Sequence, residues 1–478
     1  MQIRWISKKA PKDCLKTLLL SLGFITAGSV AAQNADPFAA NNGLYPTSEE
    51  WADSFRIPNL NYPKAPVVSD WSTPTGSDQL SLASAPDYAA AMKAYLEPTL
   101  RGMIDSPLAW DPKENNWFNM VWSGVGEKTM DGSTDPNSGR DSLLGSYTGQ
   151  VMPADTFSPE HGPVDGSHVQ NHAVVYYNAT AASMLGQLWA NIYDPDLSVI
   201  SFAEGSIVVK AEASTSTPEQ WPVLDGGALW HVYRPSTAAQ ACAQSGSNDC
   251  SSTPMDPQVL EVRALQLSIA VKDSIAAPET GWVFLAYTYD SNANGATPWD
   301  RFTPLGVQWG NDPELANSPT GRGEKGDASL QETWVNPAAP AFVLDTLGWG
   351  GRLAGPMDVA TRHNVITTEG KRFQGANHLR VSSCLSCHGA AEYPMTTNLY
   401  PSPNKSFPPD GEPFLLFEPG SPEWAEWHQN RRGDEPMSLG KSEGVTALDY
   451  DWVILFSLNA YNAAVGNDMF VIDRFHVH

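Results

Sequence analysis

The sequence predicts an α+β chain in which a large antiparallel β-rich region is followed by a mainly α-helical one. Three observations carry this. Leu265, Leu267, Ile269 and Val271 alternate with Ala264, Gln266, Ser268 and Ala270, the period of two expected of a strand with one covered face. Seventeen Trp, 38 Gly and 38 Pro describe a loop-rich body that leans towards sheet, since indoles suit packed sheets and Gly and Pro punctuate turns. Towards the C-terminus, Leu448, Trp452, Leu455 and Leu458 recur at intervals of three or four, a helical stripe.

Residues 1–32 read as an export signal. Arg4, Lys8, Lys9, Lys12 and Lys16 accompany a mostly apolar stretch from Thr17 to Ala27, and Val30 and Ala32 supply small residues before a cut ahead of Gln33. An uncleaved anchor is the competing reading, but Thr17 to Ala32 falls short of the roughly 20 residues needed to span a bilayer. No later segment is long and apolar enough, so the mature chain is expected to have no membrane span and a periplasmic location. Losing five cations and one anion with the signal takes the formal charge from −24 to −28. That surface disfavours nucleic acid and anionic lipid, and suits either docking onto a basic redox partner protein or simple solubility.

Residues 33–106 read as an extended Pro- and Asn-rich arm with one short helix, Pro86 to Glu97, ended by Pro98. Residues 107–360 form the β-rich region. Its clearest strands are Ser206 to Ala213, the alternating run at 264–271, and Trp282 to Tyr289, and an antiparallel meander joins them most economically. Trp309-Gly310 and Trp349-Gly350-Gly351 suggest tight turns capped by an aromatic, with the edge of a bound ligand against those indoles as the sharper alternative. Residues 361–478 carry the remaining motifs.

Five cysteines divide by context. Cys14 leaves with the signal. Cys242 and Cys250, in a polar loop, are expected to form a local disulfide in an oxidising compartment. Cys384-Leu385-Ser386-Cys387-His388 matches the covalent attachment pattern for one c-type haem. Two thiols on one helical turn reach both vinyl groups, and the adjacent imidazole sits beneath the iron. A redox thiol pair would open a helix after a strand, and a zinc site would need further cysteines that do not follow His388. The expected assignment is therefore Cys384 and Cys387 as thioethers and His388 as proximal iron ligand.

Met437 lies 49 residues beyond His388, in a polar loop beside Pro436, where a thioether could face the iron. Met395, seven residues beyond, is too close to cross to the other haem face; His428 and His378 are rivals for the sixth position. Thr446-Ala447-Leu448-Asp449 resembles a capping box opening a final helix that ends near Gly466. This order of attachment motif, Pro-rich loop, Met loop and last helix resembles a class I cytochrome c domain over about residues 361–466. The resemblance implies electron transfer, with Met437 as distal ligand and the last helix packed across the attachment turn.

A weaker resemblance covers the residues before the motif. Phe202 to Lys210, Val271-Lys272-Asp273 and Gly281 to Phe284 are similar to the sheet of the cytochrome P460 and β-type cytochrome c′ family, which holds a five-coordinate c-haem. It implies an open iron face acting as enzyme or sensor on peroxide, nitric oxide or a nitrogen compound. In that family the motif follows the strand closely, whereas here about a hundred residues separate Trp282 from Cys384. Lys210 lies in a family-like strand without matching the position of the haem-linked lysine. A third reading has the haem region relaying electrons from an active site in the β-rich region; no catalytic residue is assigned. His168 and His172, four apart ahead of a strand-like run, suggest a shared face and a polar edge or haem-pocket contact more than a metal site. The acidic loops at Asp290 to Asn294 and Asp312 could bind calcium, but read more simply as solvated turns.

Overall fold

The computed structural model describes residues 35–129, 131–152, 154–244, 253–317, 329–359, 380–399, 401–402, 417, 419–437 and 444–465. The proposed signal, Cys14, Cys250 and residues 360–379 with His378 lie outside the described residues. Cys242 lies on a helix, and its proposed pairing with Cys250 stays with the sequence argument.

Eight antiparallel strands form the main sheet: β1 (Tyr147–Met152), β2 (Val169–Tyr177), β3 (Ile207–Ser214), β4 (Leu229–Arg234), β5 (Gln258–Lys272), β6 (Trp282–Tyr289), β7 (Phe302–Gln308) and β8 (Thr333–Val335). Their order is β1-β2-β3-β5-β6-β7-β8, with β4 also paired to β5. The meander expected through β3, β5 and β6 is present, with Val209 opposite Ile269 and Ile269 opposite Leu285. The fifteen residues of β5 serve two partners in succession, β4 along 258–263 and β3 along 263–271. A two-stranded ribbon pairs β9 (Glu392–Tyr393) with β10 (Thr446–Ala447).

The helices are α1 (Ala85–Asp105), α2 (Ala179–Leu188), α3 (Thr237–Gln244), α4 (Ala341–Leu344), α5 (Cys384–Gly389), α6 (Pro422–Trp427) and α7 (Trp452–Val465). Strand alternation sends the two sheet faces to different cores. Val209, Ala211, Leu267, Ile269 and Leu285 pack with Met92, Leu96 and Leu100 of α1. Tyr177, Trp282 and Phe284 pack with Leu185 of α2, Trp424 and Trp427 of α6, and Leu455 and Leu458 of α7. This second core joins the sheet to the C-terminal region, because residues from 118 to 464 share it.

Two helical expectations are corrected. Pro98 does not end α1, which continues to Asp105. An internal proline removes a backbone donor and costs about 3 kcal/mol. Here the cost is offset by burial of Leu100, Met103 and Ile104 and by Arg101, which pairs with Glu97, Asp105 and Asp300. The last helix starts at Trp452 and not after Thr446. Thr446 and Ala447 instead pair with β9, and Asp449 and Tyr450 have φ of 46° and 70°, which no helix accepts. The cap is Asp451, whose Oδ1 accepts from the Ile454 amide at 2.9 Å.

Candidate haem-attachment site

Cys384, Leu385, Ser386, Cys387 and His388 lie on one short helix, α5. The turn is gripped from several directions. Ser383 caps it, and the Ser383 hydroxyl accepts from Gln308 Nε2 and donates to Asn311 Oδ1, both at 2.9 Å. The Ser386 hydroxyl also donates to Asn311 Oδ1 at 2.9 Å. The Cys384 amide donates to the Leu353 carbonyl at 2.9 Å, and Trp452 Nε1 to the Cys387 carbonyl at 2.8 Å. Ahead of the turn, the Trp349 amide donates to the Ser382 carbonyl at 2.9 Å. Gly348 is required there, since a Cβ would meet that carbonyl oxygen at 1.8 Å. Trp349 is thus a turn aromatic, as expected, and its turn seats the segment that leads into Cys384.

His388 Nδ1 donates to the Tyr450 carbonyl at 2.8 Å. That bond fixes the tautomer and leaves Nε2 to coordinate, the arrangement found when imidazole binds a metal. Burial lowers the His388 pKa and favours the neutral, ligating form. The Phe284 ring lies 4.9 Å from the imidazole.

Both thiols are free, and burial pushes Cys387 up to about 12 and Cys384 well above its ordinary value, with Asp358 adding to the rise at Cys384. An activated redox pair requires the opposite shift, towards thiolate. Among the described residues no group of three or more His, Cys, Asp and Glu is arranged to hold a bare metal ion. The donor set therefore suits a haem: two neutral thiols for thioethers and one oriented imidazole.

Met437 is buried at 2% exposure in the same core that Cys384 and Cys387 border, and its amide donates to Glu392 Oε2 at 3.1 Å. Met395 is half-buried against that core. His428 is held behind the attachment turn, with Nδ1 3.1 Å from the Ser386 hydroxyl and its ring against Trp424. Ser386 and His388 are two residues apart on a helix and point to different sides, so His428 and the His388 imidazole lie on different sides of the turn.

Sequence reading did not anticipate a polar cluster on the sheet face near the turn. Lys210 Nζ pairs with Glu212 Oε1 at 2.8 Å and with Asp358 Oδ1 at 2.5 Å. Gln266 Nε2 reaches Glu212 Oε2 at 2.8 Å and Asp358 Oδ2 at 2.5 Å. Asn171 Nδ2 donates to Glu212 Oε1 at 2.8 Å. Burial and the Asp358 charge raise Glu212 to about 7. Burial works against ionised Asp358, but the Lys210 ammonium outweighs it and holds that carboxyl below its usual range. Asp358 and Lys210 are close enough to act on Cys384 and His388 electrostatically.

His168 and His172 do not share a face or a site. His168 is exposed ahead of β2, and His172 is buried within it with no hydrogen bond to either ring nitrogen. His168 precedes the strand, whereas His172 lies inside a strand that is buried along its whole length. Asp312 is not in a solvated turn: it is buried, because its carboxylate accepts from the amides of Gln331 and Glu332 at 2.6 and 3.1 Å. Among the described residues no helix is long and apolar enough to cross a membrane. No protein-family model matches the chain, and neither does any curated protein or solved structure.

Proposed function

We propose that the chain is an exported, periplasmic c-type cytochrome that binds one covalent haem and carries electrons to or from a redox partner protein. The observation that carries this is the His388 Nδ1 bond to the Tyr450 carbonyl, on the turn that also presents Cys384 and Cys387. When bound, the haem supplies an iron centre that takes and gives one electron. The chain's own residues do the rest. Cys384 and Cys387 fasten the group, His388 ligates from one side, and Trp282, Phe284, Tyr450 and Trp452 shield that side from water. Met437 is the proposed distal ligand, and the C-terminal residues from 361 form the cytochrome c-like region.

A second reading, a haem enzyme or sensor with an open iron face, is favoured by the Lys210, Glu212 and Asp358 cluster. A fully buried carboxyl such as Glu212 is costly, and near a reactive centre it serves proton transfer or ligand orientation. Spectra of ferric and ferrous protein with and without carbon monoxide separate the two. Spectra unchanged by carbon monoxide support the carrier, and rapid binding supports the open site. A purified protein without covalent haem sinks both.

A further inference from the structure

We infer that Asp449 is a positioning residue for the iron ligand: its carboxylate holds a left-handed backbone corner whose carbonyl orients His388. This rests on the reading of His388 as proximal ligand.

The corner is Asp449-Tyr450, two successive residues at φ of 46° and 70°, neither of them glycine. L-residues avoid that region because Cβ crowds the following carbonyl, so something outside the local backbone must hold it. Asp449, 3% exposed, does so with three donors from the sheet side. Oδ1 accepts from Trp282 Nε1 at 2.7 Å and from Lys272 Nζ at 2.9 Å, and Oδ2 accepts from the Phe202 amide at 2.7 Å. On the other flank the Tyr450 hydroxyl donates to the Arg431 carbonyl at 2.6 Å. Gly433 closes over the corner, where a Cβ would lie 1.6 Å from Asp449 Oδ1. The Met437 loop and the sheet thus clamp the same two residues.

What the clamp presents is the Tyr450 carbonyl, 2.8 Å from His388 Nδ1. A firm acceptor at Nδ1 raises the basicity of the imidazole, and a more basic ligand favours the oxidised iron and lowers the potential. A purely architectural anchor has no reason to govern that quantity. Release of the carboxylate lets the corner relax towards ordinary φ, weakens the bond at Nδ1 and raises the potential.

The test uses the full-length haem-loaded protein with Asp449→Ala, Asp449→Asn and Trp282→Phe. Two readouts are taken: the midpoint potential, and the exchange rate of the His388 Nδ1 proton by histidine-labelled NMR of the ferrous protein, with carbon monoxide added if the sixth position is open. Asp449→Ala is expected to raise the potential and to speed exchange, since the acceptor at Nδ1 is no longer held in place. Asp449→Asn keeps an acceptor for Trp282 and should fall between Ala and wild type. Trp282→Phe should shift both readouts in the same direction, and decides the matter if the Ala variant does not fold. Haem-loaded Asp449→Asn and Trp282→Phe with wild-type potential and exchange would overturn the role of Asp449. A wild-type protein lacking covalent haem would instead overturn the reading of the site itself.

Discussion

His388 and Tyr450, 62 residues apart, meet through the imidazole Nδ1 and the backbone carbonyl at 2.8 Å. Tyr450 immediately precedes the cap of α7, so the helix packed beside the attachment turn is registered against the imidazole. This pairing gives the C-terminal region its proposed chemistry, and the expectations below follow from its surroundings.

Covalent attachment is the first. Wild-type protein produced with a haem-attachment system should gain the mass of one haem that survives denaturation. Cys384→Ala and Cys387→Ala should each keep a single link, and the double variant should keep none. Mass spectrometry reads this directly, and haem retained covalently by the double variant would place attachment elsewhere.

The sixth ligand separates the two functional readings. If Met437 binds iron, Met437→Ala should bind carbon monoxide rapidly where the wild type does not, and Met395→Ala should behave as wild type. Rapid binding by the wild type would remove Met437 from the iron.

Gly433 tests the clamp by stability. Its φ is not left-handed, so only space forbids a side chain, and a Cβ would sit 1.6 Å from Asp449 Oδ1. Overpacking of this kind costs about 1–3 kcal/mol. Gly433→Ala should lower the urea midpoint sharply, and a midpoint equal to wild type would show that the corner is loose.

The pH dependence follows from Glu212. Burial and Asp358 raise its folded pKa from about 4.5 to about 7, so the folded state holds the proton more tightly than the unfolded chain. Its contribution to stability is complete below pH 4.5 and is lost as pH rises through about 7. Asp451, raised by burial to about 6, acts in the same sense. Asp358, held below its ordinary value, acts oppositely and only in acid, losing its contribution as pH falls. Buried His172 and His428, whose pKa values are lowered, act oppositely below about pH 6.5, so Glu212 is read by difference: Glu212→Gln should give denaturant midpoints that decline less with pH between about 5 and 7 than those of wild type. An equally steep decline in the variant would exclude Glu212 as its source.

Much of the sheet was legible because its signal is local. The alternation through Leu265 to Val271 and the aromatic run at Trp282 to Tyr289 each specify a strand and the face it covers. Boundaries set by long-range partners were not. Pro98 signals a stop that the burial of Leu100, Met103 and Ile104 overrides, and Thr446 signals a cap that the pairing with Tyr393 overrides. At the site, Cys384, Cys387 and His388 stand together in sequence. Tyr450, Asn311, Gln308 and the Lys210 cluster carry no motif, because each is defined only by what it touches.

The sequence by itself determined the Cys384–His388 motif proposed to attach haem, since that chemistry needs three residues at fixed spacing on one turn. Only the tertiary structure decided what surrounds it. An imidazole takes its partner from whatever carbonyl the fold brings within 2.8 Å, and here that is Tyr450, on a corner its own residues disfavour and distant side chains hold in place.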